Sequence, residues 1–205
     1  MCTTAPLNPN YREDEFLFYL EDLKAAAIVV NEGYDGPAAA AAERLDIKII
    51  RLLESDRIAG LFSLVGYENE ELLEDEEAIE NDVALILHTS GTTSRPKIVP
   101  LLQSNIAASA SNIAKSLSLS SSDRCLNVMP LFHIHGLIAA VSASLYVGAS
   151  IWCSSGFNAL SFFSNLDEAK PTWYTAVPTM HQAILSRAGR NSEIIKNLSL
   201  IHISE

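Results

Sequence analysis

Residues 88–97 combine hydroxyl, glycine and cationic side chains at a spacing that suits anion binding. They read HTSGTTSRPK and follow the apolar run VALIL at 83–87, which is typical of a strand buried on both faces. Glycine lets the backbone approach a ligand closely, and hydroxyl groups with their backbone N–H groups can surround phosphate oxygens. Lys97 adds one positive charge and Arg95 a second. The stretch predicts a phosphate-binding loop, with an ordinary Ser/Thr-rich turn as the alternative.

The spacing within 88–97 differs from two common nucleotide-binding loops. A Walker A loop places Ser or Thr directly after its lysine and then begins a helix, whereas Lys97 is followed by Ile98 and the next helix is expected near residue 102. A dinucleotide loop needs three glycines as GxGxxG, and only Gly91 is present here. Because ligands of open parallel sheets lie beyond the carboxyl ends of the strands, the position still favours a binding site.

Composition and charge exclude several classes of protein. The 205 residues carry 25 acids against 14 bases, for a net charge of −11, which argues against nucleic acid or an anionic membrane surface as a partner. No apolar run is long enough for a transmembrane helix, and we expect no secretory signal because the first residues lack a basic stretch followed by an apolar core. Cys2, Cys125 and Cys153 have no metal-site spacing. Their scarcity favours a reducing, intracellular compartment, and we expect no metal site here.

The first 67 residues predict a small α/β segment. Four apolar residues at helical spacing precede the strand-like run AIVV, and they are Phe16, Tyr19, Leu20 and Leu23. The helix-forming AAAAAERL and the strand-like IKIIRLL follow, an alternation typical of parallel βαβ units. Residues 68–82 are rich in Asp and Glu without any base, which predicts a solvated acidic linker.

The sequence from residue 82 onward alternates strand and helix patterns. Strands are predicted at 82–88, 124–130, 149–154 and 172–177, and helices at 102–117, 134–148, 159–169 and 178–188. Strict alternation of this kind implies a parallel sheet covered by helices. The predicted fold class is therefore α/β, built from parallel βαβ units.

Three motifs resemble those of the AMP-forming adenylate enzymes, the superfamily of acyl-CoA synthetases, luciferases and peptide-synthetase adenylation domains. LILHTSGTTSRPKIVPL (85–101) is similar to their phosphate-binding loop, although Ser94 and Ile98 stand where glycines are usual. MPLFHIHG (129–136) resembles their second signature, and TWYTAVPTMHQAIL (172–185) resembles the strand and helix that line the acyl pocket. The resemblance implies the N-terminal domain of the adenylate-forming fold.

A finer resemblance is to the oxalate–CoA ligases of plants and fungi. It is carried by Ser94, by FHIHG and WYTAVPTMHQ, and by the opening PLNPNYREDEFLFYLEDLKAAAIVV. Under this interpretation 1–67 is the first α/β segment of the adenylation domain, 68–82 is the acidic linker and 83–199 is the phosphate-loop subdomain. Residues 200–205, which depart from the family pattern, form an atypical tail.

The resemblance implies a two-step ligase reaction. A carboxylate attacks the α-phosphate of ATP–Mg²⁺ to give acyl-AMP and pyrophosphate, and the thiolate of coenzyme A then displaces AMP. Because the first step joins two anions, the site must neutralise charge and align the reactants. Lys97 is the expected catalytic residue of the loop. The residues expected to hold the ATP phosphates are Thr89, Ser90, Gly91, Thr92, Thr93 and Lys97.

The histidines are the remaining candidates for contact with a small carboxylate such as oxalate. The resemblance gives His133 a catalytic and substrate-binding role and makes His135 a second substrate contact, with a packed structural histidine as the alternative for either. His181 either lines the acyl pocket or makes a buried polar contact, and His88 is expected to be structural.

Several parts of the family pattern are absent from the chain. The motifs expected to bind adenine, ribose and Mg²⁺, and a C-terminal domain with a further lysine, do not occur. We therefore expect a piece of a synthetase, inactive as a ligase and prone to aggregate by itself, from the cytoplasm or the peroxisome. The alternatives are a phosphate-binding module without ligase activity and a remnant without any ligand.

Overall fold

The computed structural model describes residues 2–55, 58, 60–67, 77–89, 96–195 and 200–203. It divides into two units. The first comprises Leu7–Glu77, and the second comprises Cys2–Pro6 with Ala78–Glu205.

The first unit is a three-stranded sheet with two helices. Its elements in chain order are α1 Glu13–Leu23, β1 Ala27–Asn31, α2 Pro37–Arg44, β2 Lys48–Glu54 and β3 Phe62–Val65. β1 and β2 are parallel, as the alternating pattern predicted, and β3 adds to β2 in the antiparallel sense. The core contains Phe16 and Leu20 of α1 with the alanines of α2. Because alanine side chains are small, α2 can pack closely against α1.

β3 leaves apolar side chains in contact with solvent. Phe62 is 53% exposed and Leu64 is 46% exposed, and the neighbouring Leu61 and Tyr67 are also exposed. Burying apolar surface stabilises a protein by about 25 cal/mol per Å², so this strand forgoes that stabilisation.

A hairpin opens the second unit. β4 Val83–Thr89 pairs with β5 Lys97–Leu102 in the antiparallel sense. The predicted strict alternation of strands and helices is therefore wrong at this point, since a strand lies between the loop and the next helix. Residues 98–102, IVPLL, are apolar and partly β-branched, and a strand at the edge of a sheet tolerates proline. On the other side of β4, the N–H of Ile86 donates to the Thr4 carbonyl oxygen at 2.8 Å.

A four-stranded sheet forms the rest of the second unit. The elements that follow β5 are α3 Gln103–Ser116, β6 Arg124–Asn127, a π-helix His135–Ser142, α4 Ala143–Tyr146, β7 Ser150–Cys153, α5 Phe162–Ala169, β8 Trp173–Ala176, α6 Pro178–Ala188, α7 Ser192–Ile195 and β9 Leu200–Ile203. The strand order is β7-β6-β8-β9, and each neighbouring pair is parallel. The predicted parallel α/β architecture is confirmed here. The helix predicted at 134–148 ends before Gly148, which has a φ of +73°.

The main core of this sheet lies under α5 and α6. Phe162 is almost fully buried and meets the Tyr174 ring edge-on at 5.0 Å between centroids. On the other face, Trp173 packs with Cys125 of β6 and Ala140 of the π-helix. Burial raises the pKa of the Cys125 thiol to about 12. Trp173 and Tyr174 are therefore core residues.

Asp123 joins the amino ends of β6 and β8. Its Oδ1 accepts from the Thr172 hydroxyl at 2.7 Å, and its Oδ2 accepts from the N–H and the hydroxyl of Ser120 at 2.8 and 2.9 Å. The Thr172 bond, with those from Ser120, lowers the pKa of Asp123 below its ordinary value of 3.8 and outweighs the opposite effect of burial.

The depressed pKa of Asp123 predicts a pH-dependent contribution to stability. A carboxyl with a lower pKa when folded stabilises the protein fully above its unfolded pKa, and the contribution is lost as the pH falls through the folded pKa. We expect Asp123→Asn to lower the free energy of unfolding by about 1 kcal/mol at pH 7. Urea titrations at pH 7 and near pH 3 should show this difference shrinking in acid, with the exposed Glu168→Gln as control. A difference that is equal at both pH values would contradict the assignment.

Candidate active site

The ends of the predicted phosphate loop lie side by side. Thr89 is the last residue of β4, Lys97 is the first residue of β5, and the two are paired across the hairpin. Both side chains are exposed. Residues 90–95, which include the candidates Ser90, Gly91, Thr92 and Thr93, lie outside the described residues. The hairpin therefore brings a hydroxyl and an ammonium group together at the mouth of the loop.

The hairpin is packed against the element that carries the second motif. Leu85 and Leu87 of β4 form a buried cluster with Ile138 of the π-helix, and Leu101 of β5 packs against it. The alternate residues 85 and 87 share one face of the strand because side chains alternate along it. This apolar contact fixes β4 relative to the helix that begins at His135.

The turn after β6 is fixed by a side chain that sequence reasoning missed. Asn127, almost fully buried at the end of β6, accepts from the Met129 N–H and donates from its amide to the Met129 carbonyl oxygen, each at 3.1 Å. Its own carbonyl accepts from the N–H of Ser154, which follows β7. An asparagine directly after the apolar Cys125 and Leu126 was the available signal, since a buried amide needs partners.

The position of Gly136 in the fold gives a reason for the glycine at the end of the second motif. A Cβ at this position would lie 2.4 Å from the Pro130 carbonyl oxygen and 3.1 Å from that of Met129. The start of the π-helix therefore packs directly on the backbone of the turn after β6. π-Helices are rare in proteins, and those that occur are often found at functional sites.

The two histidines of the second motif have different surroundings. His133 is exposed, and its ring lies 4.7 Å from the Phe132 ring between centroids. His135 is half-buried, and its Nε2 lies 2.7 Å from Oγ1 of Thr175, a fully buried residue of β8. His133 is thus the histidine of this motif that is open to a ligand, whereas His135 joins the motif to the sheet.

His181 lies inside the protein. It is 6% exposed, its Nδ1 lies 3.1 Å from the Tyr174 hydroxyl, and its Nε2 lies 3.1 Å from the Ala176 carbonyl oxygen. Of the two roles considered for His181, this arrangement is that of a buried polar contact. Direct contact with a substrate stays a prediction that the geometry does not favour.

The motif after β6 and the connection after β8 share one edge of the parallel sheet. Asn127 is in register with Thr175 of β8 and with Cys153 of β7. The three strands therefore end at about the same level, and ligands of parallel sheets bind beyond such ends. This edge, with His133 on it, is the candidate site for the carboxylate.

Two further features bear on the kinds of ligand. Within the described ranges, no three His, Cys, Asp or Glu side chains cluster as they would around a metal ion. Of the helices described, none is long and apolar enough to cross a membrane.

Comparisons with known proteins place the chain in a family. The family model described as AMP-binding enzyme matches residues 2–202. The chain is 40% identical to an oxalate–CoA ligase of Arabidopsis thaliana, over 94% of this chain and 38% of that protein. It is 36% identical to an oxalate–CoA ligase of Saccharomyces cerevisiae, over 89% of this chain and 38% of that protein.

A solved structure agrees with the fold. ATP-bound MatB from Rhodopseudomonas palustris superposes with a TM-score of 0.80 at 23% identity, over 99% of this chain and 40% of that one. From the family match over residues 2–202 and the identity of 40%, the chain belongs to the AMP-binding enzyme family, among the AMP-forming acyl-CoA synthetases. The resemblance drawn from the three motifs is confirmed. The chain spans 38% of the length of both oxalate–CoA ligases.

Proposed function

We propose that this chain forms part of an AMP-forming acid–CoA ligase that acts on oxalate or another small carboxylate. The observation that carries the proposal is the identity of 40% to an oxalate–CoA ligase over 94% of the chain. In the proposed reaction, the carboxylate displaces pyrophosphate from ATP to give an acyl adenylate. Coenzyme A then displaces AMP to give the thioester.

The described residues at the loop have the chemistry that ATP phosphates require. Lys97 supplies a compact positive charge and Thr89 a hydroxyl, and the two are neighbours across the hairpin. Both groups donate hydrogen bonds to anionic oxygens. The proposed set of phosphate-binding residues is Thr89, Ser90, Gly91, Thr92, Thr93 and Lys97. Mg²⁺ enters this proposal only together with the nucleotide, as a further source of positive charge.

The carboxylate would bind at the edge of the sheet where the second motif lies. His133 is exposed there and can donate a hydrogen bond to a carboxylate oxygen, so we assign it the substrate contact and a catalytic role. A contact from His135 stays part of the proposal, with its Nε2 directed to Thr175. The proposed location is intracellular, in the cytoplasm or the peroxisome, because few cysteines without paired spacing are typical of a reducing compartment.

Product analysis tests the proposed function. The full-length protein that contains this chain is incubated with ATP, Mg²⁺, coenzyme A and one of oxalate, malonate or acetate, and thioesters are identified by mass spectrometry. We expect oxalyl-CoA as the main product, together with AMP. Nucleotide binding without any thioester would favour the phosphate-binding module instead.

A further inference from the structure

His181 spans the connection between β8 and α6. It belongs to the first turns of α6, yet both of its ring nitrogens are directed at β8. Nε2 lies 3.1 Å from the carbonyl oxygen of Ala176, the last residue of the strand. Nδ1 lies 3.1 Å from the hydroxyl of Tyr174, two residues earlier. The ring therefore contacts two points on one face of β8.

The partners determine where the ring proton lies. A carbonyl oxygen can only accept, so Nε2 of His181 carries the hydrogen and donates it to Ala176. With Nε2 as the donor, Nδ1 accepts the hydrogen of the Tyr174 hydroxyl. Burial raises the pKa of Tyr174 to about 12, so its hydroxyl keeps the hydrogen that it donates.

These two bonds limit the movement of a short connection. Val177 alone stands between the end of β8 and Pro178, the first residue of α6. The bond from Nε2 of His181 to the Ala176 carbonyl oxygen links α6 back to β8 across that connection. The bond between Nδ1 and the Tyr174 hydroxyl holds the imidazole within the core. The two bonds therefore tie the first turn of α6 to the end of β8.

We propose that His181 is a positioning residue for the carboxylate site. It acts through the Ala176 carbonyl by holding the connection Ala176–Pro178 at the sheet edge, beside the turn that follows Asn127, and it does not touch the carboxylate itself. This inference rests on the proposed ligase function. It replaces the role of His181 as a pocket-lining ligand.

Matched substitutions separate the two hydrogen bonds. In the full-length protein, His181→Gln can keep a donor near the position of Nε2, whereas His181→Asn keeps an acceptor near that of Nδ1. Tyr174→Phe removes only the hydroxyl. One hydrogen bond that holds a site in place contributes up to about 1.5 kcal/mol, which corresponds to roughly tenfold in affinity. We therefore expect His181→Ala to raise the KM for the carboxylate by about tenfold while the KM for ATP stays within about twofold.

The pattern of rescue decides the proposal. We expect His181→Gln to restore most of the carboxylate KM and His181→Asn to leave it raised, with Tyr174→Phe near the unmodified protein. An unchanged carboxylate KM in His181→Ala would overturn the positioning role. So would equal rescue by Asn and Gln, or a parallel loss in every kinetic constant, which is the mark of general destabilisation.

A spectroscopic measurement keeps this test apart from the test of ligase function. Nitrogen-15 chemical shifts of labelled histidine in the full-length protein, assigned with the His181→Gln variant, report which ring nitrogen carries the hydrogen. Protonated Nε2 and unprotonated Nδ1 would support the contacts even if no carboxylate proved to be a substrate. The opposite tautomer would overturn the positioning role whatever the outcome of the activity assay.

Discussion

Replacing Lys97 by alanine in the full-length protein is expected to slow adenylate formation by about a hundredfold or more. The reaction joins a carboxylate to a polyphosphate, and charge builds on the departing pyrophosphate. Lys97 lies at the mouth of the loop, next to Thr89 and exposed to solvent. A cation at this position stabilises the charge that develops at the phosphates more than it stabilises the bound carboxylate. The affinity for the carboxylate should therefore change little.

Single-turnover quench experiments with labelled ATP measure this effect directly. Lys115→Ala is the matched control because Lys115 is an exposed lysine of α3 outside the loop. Lys97→Arg keeps the positive charge but changes its shape, so it should retain part of the rate. An adenylation rate in Lys97→Ala equal to that of the Lys115→Ala control would remove Lys97 from the proposed site.

Gly136→Ala is expected to have the largest effect on folding among single-methyl additions to this chain's described glycines. The added carbon would lie 2.4 Å from the Pro130 carbonyl oxygen and 3.0 Å from the Pro130 carbonyl carbon. These are backbone atoms, so relief requires the turn after β6 or the π-helix to move. Overpacking of this kind costs about 1–3 kcal/mol or more. Since the same turn carries His133, we also expect reduced ligase activity.

Gly189→Ala provides the matched control. Gly189 ends α6 with a φ of −59°, and a Cβ there would meet nothing within 4 Å. Alanine at such a site is neutral or stabilising by up to about 1 kcal/mol because it restricts the unfolded chain. Thermal unfolding of both variants in the full-length protein should place Gly136→Ala well below Gly189→Ala. Equal midpoints would show that the close approach at Gly136 is not present.

Elements with a sustained apolar pattern were predictable from the sequence, and the short strand β5 was not. α1, α3 and α6 repeat apolar residues at helical spacing, and β4 is a continuous apolar run, so local pattern specified them. β5 is a short run interrupted by Pro100, and proline is a strong signal for a turn. Its strand conformation depends on pairing with β4, which local pattern does not encode.

The chemical groups of the candidate site were predictable from the sequence, but the contacts that hold them in place were not. The loop and the second motif are contiguous in sequence, so their hydroxyl, ammonium and imidazole groups were visible directly. The bond between His135 and Thr175 joins residues 40 positions apart, and only the folded sheet brings them together. The role of His181 was not predictable, because only the folded arrangement of β8 and α6 shows its ring bonded to the Ala176 carbonyl oxygen.

In the function proposed for this chain, the enzyme of which it forms part activates a carboxylate with ATP. Isotope exchange between pyrophosphate and ATP measures that step alone, without coenzyme A. With the full-length protein and Mg²⁺, we expect labelled pyrophosphate to enter ATP when oxalate is present, and the exchange to be lost in Lys97→Ala. Absence of exchange with oxalate, malonate and acetate, in a protein that binds ATP, would contradict the account.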